Sequence, residues 1–321
     1  MKGSSGFPAE ISIRMKKLFS ILLAAVLMTS AMVSCSEETT GEEAVNAKHI
    51  TLSGDTATAD ASSVTVGEDG LITINTHGTY IISGTLNNGM IEVNSVDAGT
   101  VELILDNANI TNDNGACIVF TKASDAVVTI KDGTTNVLVD GDKYAFPTPD
   151  QDEPNAALYS KEDLTIQGGG TLTIDANYAT AINSKDGLKI NGGTFDITAA
   201  EHGIKGKDYL VINDGNIKIN AIGDGIKSTN YENEMVGYVD INGGTIEIYS
   251  EDEAVQGVST VNFNGGTLTV NSLNNGIKCA GTINFNGGSL VLDAQDNALD
   301  ASEITLNPAA NVTINGVPYK G

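Results

Sequence analysis

The chain has 321 residues, with 41 acidic side chains against 17 basic ones and a formal charge of −24. Arg14 is the sole arginine, and so acidic a surface repels phosphate backbones, which argues against nucleic acid as a partner and for divalent cations. Tryptophan is absent, and the 36 glycines recur in a pattern instead of pooling in a linker.

Lys16 and Lys17 open the first feature of the chain. They precede an apolar segment, residues 18–31, too short to span a bilayer comfortably, and Met32-Val33-Ser34-Cys35 follows. This order is that of a signal peptide. Its end resembles the lipobox of bacterial lipoproteins, with Met32 in place of the more usual leucine. The resemblance implies that Cys35 is acylated and becomes the new N-terminus. The protein is then exported, held at the cell envelope and surface-exposed, and meets the membrane only through its lipid anchor. An uncleaved membrane anchor is the alternative. Met15 reads as the natural start, and residues 1–14 as an upstream mis-start or tag. Ser36-Glu37-Glu38 opens a polar tether over residues 36–47, which reads equally as a surface-export signal or as a plain solvated linker.

Residues 48–180 carry strand texture with a loose period. Val64–Val66, Leu71–Ile74, 80–82, 101–105 and 127–130 read as strands, and Asn107-Ala108-Asn109-Ile110 and Asp132-Gly133 as turns. These are expected to be the first rungs of the structure that follows. Segment 147–154 breaks the rhythm with three of the six prolines and three acids.

From residue 181 the repeat is plain. An Ala or Gly followed by an aliphatic residue recurs at Ile182, Ile204, Ile226, Val255, Ile277 and Leu299, at intervals of 22, 22, 29, 22 and 22. The long interval holds a second insertion, residues 229–237. Asn191-Gly192-Gly193, Asn242-Gly243-Gly244, Asn264-Gly265-Gly266 and Asn286-Gly287-Gly288 keep the same phase, with Asn213-Asp214-Gly215 as an imperfect copy. Between these markers apolar residues alternate with polar ones, as in Leu188/Ile190 and Phe195/Ile197, so each unit holds three short strands with one buried face. A unit this small cannot bury its apolar face alone, whereas copies stacked at about 4.8 Å can. The expected fold is all-β: a right-handed single-stranded parallel β-helix over residues 48–321, about 22 residues and three strands per rung. Cys117 and Cys279 lack metal-type spacing and are expected to be buried without a disulfide between them.

Several segments together carry a resemblance: Ala181-Ile182-Asn183-Ser184-Lys185-Asp186-Gly187-Leu188, Gly203-Ile204-Lys205-Gly206-Lys207-Asp208, and Gly223-Asp224-Gly225-Ile226-Lys227-Ser228-Thr229-Asn230. Gly78-Thr79-Tyr80-Ile81-Ile82-Ser83-Gly84 and Gly133-Thr134-Thr135-Asn136-Val137-Leu138 fit as well. From about residue 48 onward the chain resembles a family of secreted bacterial carbohydrate-binding proteins with a polysaccharide-lyase-like β-helix. The resemblance implies binding of cellulose and acidic sugar polymers, with bound calcium. His202 departs from it, standing where the family usually has an aspartate before Gly-Ile.

The turns before the aliphatic markers read Glu201-His202, Gly223-Asp224, Asp252-Glu253, Asn274-Asn275 and Asp296-Asn297. Stacking places Glu201, Asp224, Asp252 and Glu253 within about one rung spacing of each other, where like charges need a cation between them. Calcium takes six to eight oxygen ligands and suits such a cluster. The bland reading is that Asp and Asn simply favour turns. The residue after each marker points outward: Asn183, Lys205, Lys227, Gln256, Lys278 and Asp300. Lys205, Lys227 and Lys278 are candidates to hold sugar carboxylates, or else surface partners of nearby acids. Lys185-Asp186 and Lys207-Asp208 form a second, structural ladder. Tyr209, Tyr231, Tyr238 and Tyr249 offer faces for sugar rings, with Tyr231 in the second insertion the first choice. His202 is expected to be a solvated turn residue.

Three functions compete. The first is calcium-assisted, non-catalytic binding of plant-type or acidic polysaccharide by a monomer. The second is a calcium-dependent polysaccharide lyase with Lys205 or Lys227 as the base, although neighbouring acids are expected to raise the pKa of either lysine. The third is a surface adhesin or spacer.

Overall fold

The computed structural model describes residues 46–321. The signal segment, Cys35 and residues 36–45 of the tether lie outside the described residues. Every described element is a strand, from Lys48–Gly54 to Val317–Pro318.

In the regular region each strand pairs in parallel with the third strand along the chain. Thr180–Ser184, Gly187–Ile190 and Thr194–Ala199 form one rung. They pair with Ile204–Gly206, Tyr209–Ile212 and Asn216–Ala221 of the next, in the registers Ile182↔Ile204, Leu188↔Leu210 and Phe195↔Ile217. The architecture is a parallel β-helix. The marker residues Ile182, Ile204, Ile226, Val255, Ile277 and Leu299 form one continuous column through successive pairings. All but Leu299, near the end of the stack, are buried. Each such aliphatic side chain removed from water contributes about 1.5–3 kcal/mol.

The Asn-Gly-Gly corners explain why the repeat tolerates so little change there. The second glycine of each adopts a positive φ, and at Gly244 (φ 86°) an added Cβ would come within 2.6 Å of the Gly215 carbonyl oxygen. The asparagines stack into a hydrogen-bonded ladder along the axis. Asn213 donates to Asn191 at 2.7 Å, Asn242 to Asn213 at 2.8 Å, and Asn264 to Asn242 and Asn286 to Asn264 at 2.7 Å each. Insertion 229–237 is extruded without disturbing this order, since Tyr238 still pairs with Tyr209.

The N-terminal part departs from the sequence expectation in two places. Val64–Val66 is not a rung strand: it folds back antiparallel on Leu71–Ile74, as Thr56–Ala59 does on Lys48–Gly54. Antiparallel hairpins thus occupy the edge that a parallel coil would leave unpaired. Asn107-Ala108-Asn109-Ile110 does not end a strand either. It lies inside the 13-residue strand Thr100–Asn112, which bends at Asn107 (φ 55°) while the register slips against its neighbour. A short polar residue visits the left-handed region without a glycine, so the corner is made in mid-strand. Cys117 and Cys279 are both buried and free.

Candidate functional site

The outward side chains of the marker strands form a second column, beside the buried one. Pairing sets it in the order Glu92, Val119, Tyr159, Asn183, Lys205, Lys227, Gln256, Lys278 and Asp300. The turns that lead into these strands are stacked by backbone hydrogen bonds one rung apart. Gly203 N donates to Asp224 O at 3.0 Å, Gly225 N to Glu253 O at 2.9 Å and Ala254 N to Asn275 O at 3.1 Å.

This stacking brings one carboxylate oxygen each of Asp224, Asp252 and Glu253 within 4.8 Å of one another. Asp224 and Glu253 are buried, and Asp252 is half-buried. Glu253 N donates to Asp224 Oδ1 at 3.2 Å, Asn274 Nδ2 to Asp252 Oδ1 at 2.8 Å and Asn275 Nδ2 to Glu253 Oε1 at 3.0 Å. Lys278 Nζ also reaches Glu253 Oε1, at 2.7 Å. The Lys227 ammonium lies against Asp224 Oδ2 and pairs with it. Burial pushes the Asp224 carboxyl above the usual carboxylate range, against the pull of Lys227 and with Glu253 adding to the rise. Burial works to raise Glu253 too, but Lys278 and hydrogen bonds from its other neighbours outweigh it and hold that carboxyl low. Two adjacent buried carboxylates resist ionising together, and of the two Asp224 takes up a proton before Glu253 does.

Glu201 does not join this cluster. Its side chain is half exposed and turns to His202 Nε2 at 3.4 Å. Glu201 holds the same turn position as Asp252, but the rung between them has Gly223 there, so no carboxylate continues the cluster to Glu201. His202, in turn, is not a solvated residue: its side chain is only 12% exposed. Its Nδ1 accepts from Asp224 N at 3.0 Å, and burial, followed by Lys227 and Lys205, lowers its pKa to about 3, so the ring is neutral.

The lysines also differ from expectation. Lys205 and Lys227 are register partners, as the repeat requires. Burial and then Lys227 lower the pKa of Lys205, the reverse of the rise expected from nearby acids, because the acids pair with other lysines. Asn183 stands in the outward column yet is 1% exposed, since the first insertion covers it and its amide donates to Asn155 at 2.7 Å. Tyr231 is 75% exposed and shares a shallow depression with Gln256, Lys278 and Asp300. Tyr209 and Tyr238 stack on each other at 5.5 Å in a different sheet, away from the lysines. The ladder residues fasten the insertions instead of one another: Lys185 pairs with Glu153, and Asp208 accepts from Asn230 at 2.6 Å.

Sequence reasoning missed the other end of the column. Glu92, Val119 and Tyr159 form part of the wall of a cavity of about 420 Å³, closed over by Tyr144, Phe146 and Pro147. The available signal was the insertion itself, whose three prolines directly follow Tyr144 and Phe146.

Comparison with known proteins agrees with this architecture. A solved polysaccharide lyase-like protein from C. thermocellum, a gadolinium derivative, superposes with a TM-score of 0.71 at 34% identity, covering 81% of this chain and 99% of that one. A carbohydrate-binding domain-containing protein of Acetivibrio thermocellus is 38% identical over 192 residues, 57% of this chain, and the match spans 65% of that relative's length. The sequence pattern of the same family matches residues 68–316. The chain therefore belongs to the family of carbohydrate-binding domain-containing proteins.

Proposed function

We propose that the chain is a non-catalytic binder of plant-type or acidic polysaccharide that works with calcium, held by Asp224, Asp252 and Glu253. One observation carries the reading. Two oxygens bound to a single calcium at about 2.4 Å lie at most about 4.8 Å apart, and the three carboxylates offer oxygens within 4.8 Å of one another. The buried, unpartnered Asn275 Oδ1, on the side chain that also bonds Glu253, fits the same role.

A calcium ion there supplies a positive centre for a sugar carboxylate on an otherwise acidic protein. The chain's own residues do the rest. With all three carboxylates ionised, Lys227 and Lys278 neutralise two of them and leave a net negative charge that attracts a divalent cation. Lys205 stands in the same outward column and Tyr231 at its edge, where an ammonium and an exposed ring can hold a uronate and stack on its neighbour. Export and a lipid anchor at Cys35 belong to the same reading and place the protein where it meets polymer.

The lowered pKa of Lys205 favours a second reading, a lyase in which this amine removes the proton beside the uronate carboxylate. One experiment separates the two. Pectate pull-down is expected to lose most bound protein on adding chelator and again with Asp224→Asn, with no unsaturated product absorbing at alkaline pH. Binding indifferent to chelator removes the calcium bridge. Product formation that disappears in Lys205→Ala establishes the lyase instead.

A further inference from the structure

The cavity at the other end of the column has a chemistry unlike that of the carboxylate cluster. Its floor is built by neighbouring rungs: Met90, Val119 and Tyr159. Phe146 and the start of the first insertion at Pro147 line it as well. The walls are fixed before any ligand arrives. The Tyr144 hydroxyl donates to Asp140 Oδ2 at 2.6 Å, and its ring stacks on Tyr178 at 4.2 Å. The Tyr159 hydroxyl donates to Glu153 Oε2 at 2.7 Å, and Glu153 is paired with Lys185. Fixed walls of this kind lower the ordering cost of binding.

At about 420 Å³ the space lies in the lower part of the range for small-molecule pockets, about 300–1,000 Å³. It suits a sugar ring or two. A pyranose has an apolar C–H face, which matches the Val119, Met90 and Phe146 surfaces, and a rim of hydroxyls, which need acceptors. Glu92 and Glu153 supply charged acceptors at that rim. The Glu92 hydrogen bond engages only Oε1, which accepts from Thr121 at 2.8 Å. Glu153 is already engaged by Lys185 and Tyr159, so a uronate would have Lys161 as the one cation among the lining residues, with the Glu92 carboxylate beside it, an arrangement that like-charge repulsion disfavours.

We infer that this cavity is a second subsite, selective for a neutral pyranose and independent of calcium, on the same outward column as the calcium-assisted acidic-sugar site. The inference rests on the reading of the chain as a carbohydrate binder and assigns a different sugar chemistry to each end of one face.

Calorimetric titration of the full chain tests it with two probes, a neutral β-linked glucose tetramer and a galacturonate tetramer. In chelator the neutral tetramer is expected to bind and the galacturonate tetramer to fail. Glu92→Gln and Phe146→Ala are each expected to weaken the neutral tetramer at least tenfold, and to leave calcium-dependent galacturonate binding and the unfolding temperature unchanged. The inference is overturned if the wild-type protein does not bind the neutral tetramer, or if neither variant weakens it. Galacturonate binding that persists in calcium then shows that the cavity assignment failed while the carbohydrate reading stands. Loss of both sugars in the wild type overturns both.

Discussion

The two ends of the outward column share backbone geometry and register, and differ in nearly everything else. At one end Val119 and Tyr159 form a small apolar cluster with Ala116 and Ala156, outside the main core, and share a cavity with Glu92 and the start of the first insertion. At the other, Lys205, Lys227 and Lys278 stand beside the Asp224, Asp252 and Glu253 cluster, with the second insertion only at the edge. A solenoid fixes where side chains lie and leaves their chemistry to each rung. The same face can therefore be a covered apolar cavity at one position and a charged strip a few rungs away.

The comparison breaks most visibly at Lys227. Removing one partner of a buried ion pair costs about 3–5 kcal/mol, because the other charge is left uncompensated. Asp224 is fully buried, and the Lys227 side chain is 16% exposed. Lys227→Met should therefore lower stability by about 3 kcal/mol in chelator, and saturating calcium should recover much of it. Thermal unfolding with and without calcium measures both; an unchanged unfolding temperature in chelator would remove electrostatics as the feature that defines this end.

At the apolar end the corresponding change is smaller and indifferent to calcium. Tyr159→Phe deletes a hydrogen bond to a carboxylate, worth about 1.5–3 kcal/mol. It should expose residues 147–154 to limited proteolysis, and equal cleavage of both proteins would show that Tyr159 does not hold the insertion.

The smallest effect is a pH dependence confined to the same end. Burial works to raise the Glu153 carboxyl, but Lys185 and Tyr159 outweigh it and hold it below its ordinary 4.5. A depressed folded-state pKa contributes stability that is present above the unfolded value and lost as pH falls through the folded one. Protection of the insertion from an acid-active protease should thus decline, by a few-fold at most, as pH drops below 4.5. Glu153→Gln should abolish that decline. A wild-type protein equally protected on both sides of that pH would separate the insertion from the Glu153 carboxylate.

Much of this was legible residue by residue. The spacing of Ile182, Ile204, Ile226, Val255, Ile277 and Leu299 named the buried column in its true order. Stacking one rung on the next then put Asp224 near Glu253. The reading failed where the neighbouring rung set the surroundings, as with Glu201 next to Gly223 and His202 against Asp224, and where the chain left the repeat. Asn183 obeys the column rule and is covered all the same, because an insertion distant in sequence folds over it. The pKa of Lys205 was misjudged for a related reason: which acid pairs with which lysine depends on side-chain reach, and the acids are taken by Lys227 and Lys278.

Sequence alone settled the parallel coil, its rung length and the residues of its interior, because a periodic apolar pattern can bury itself in only one register. It did not settle the surface chemistry of the two ends. The aromatic wall beside Tyr159 and the pairing of Glu153 with Lys185 arise from contacts between segments whose separation follows no period. Such contacts are decided only when the folded backbone fixes the distances over which charges and rings act.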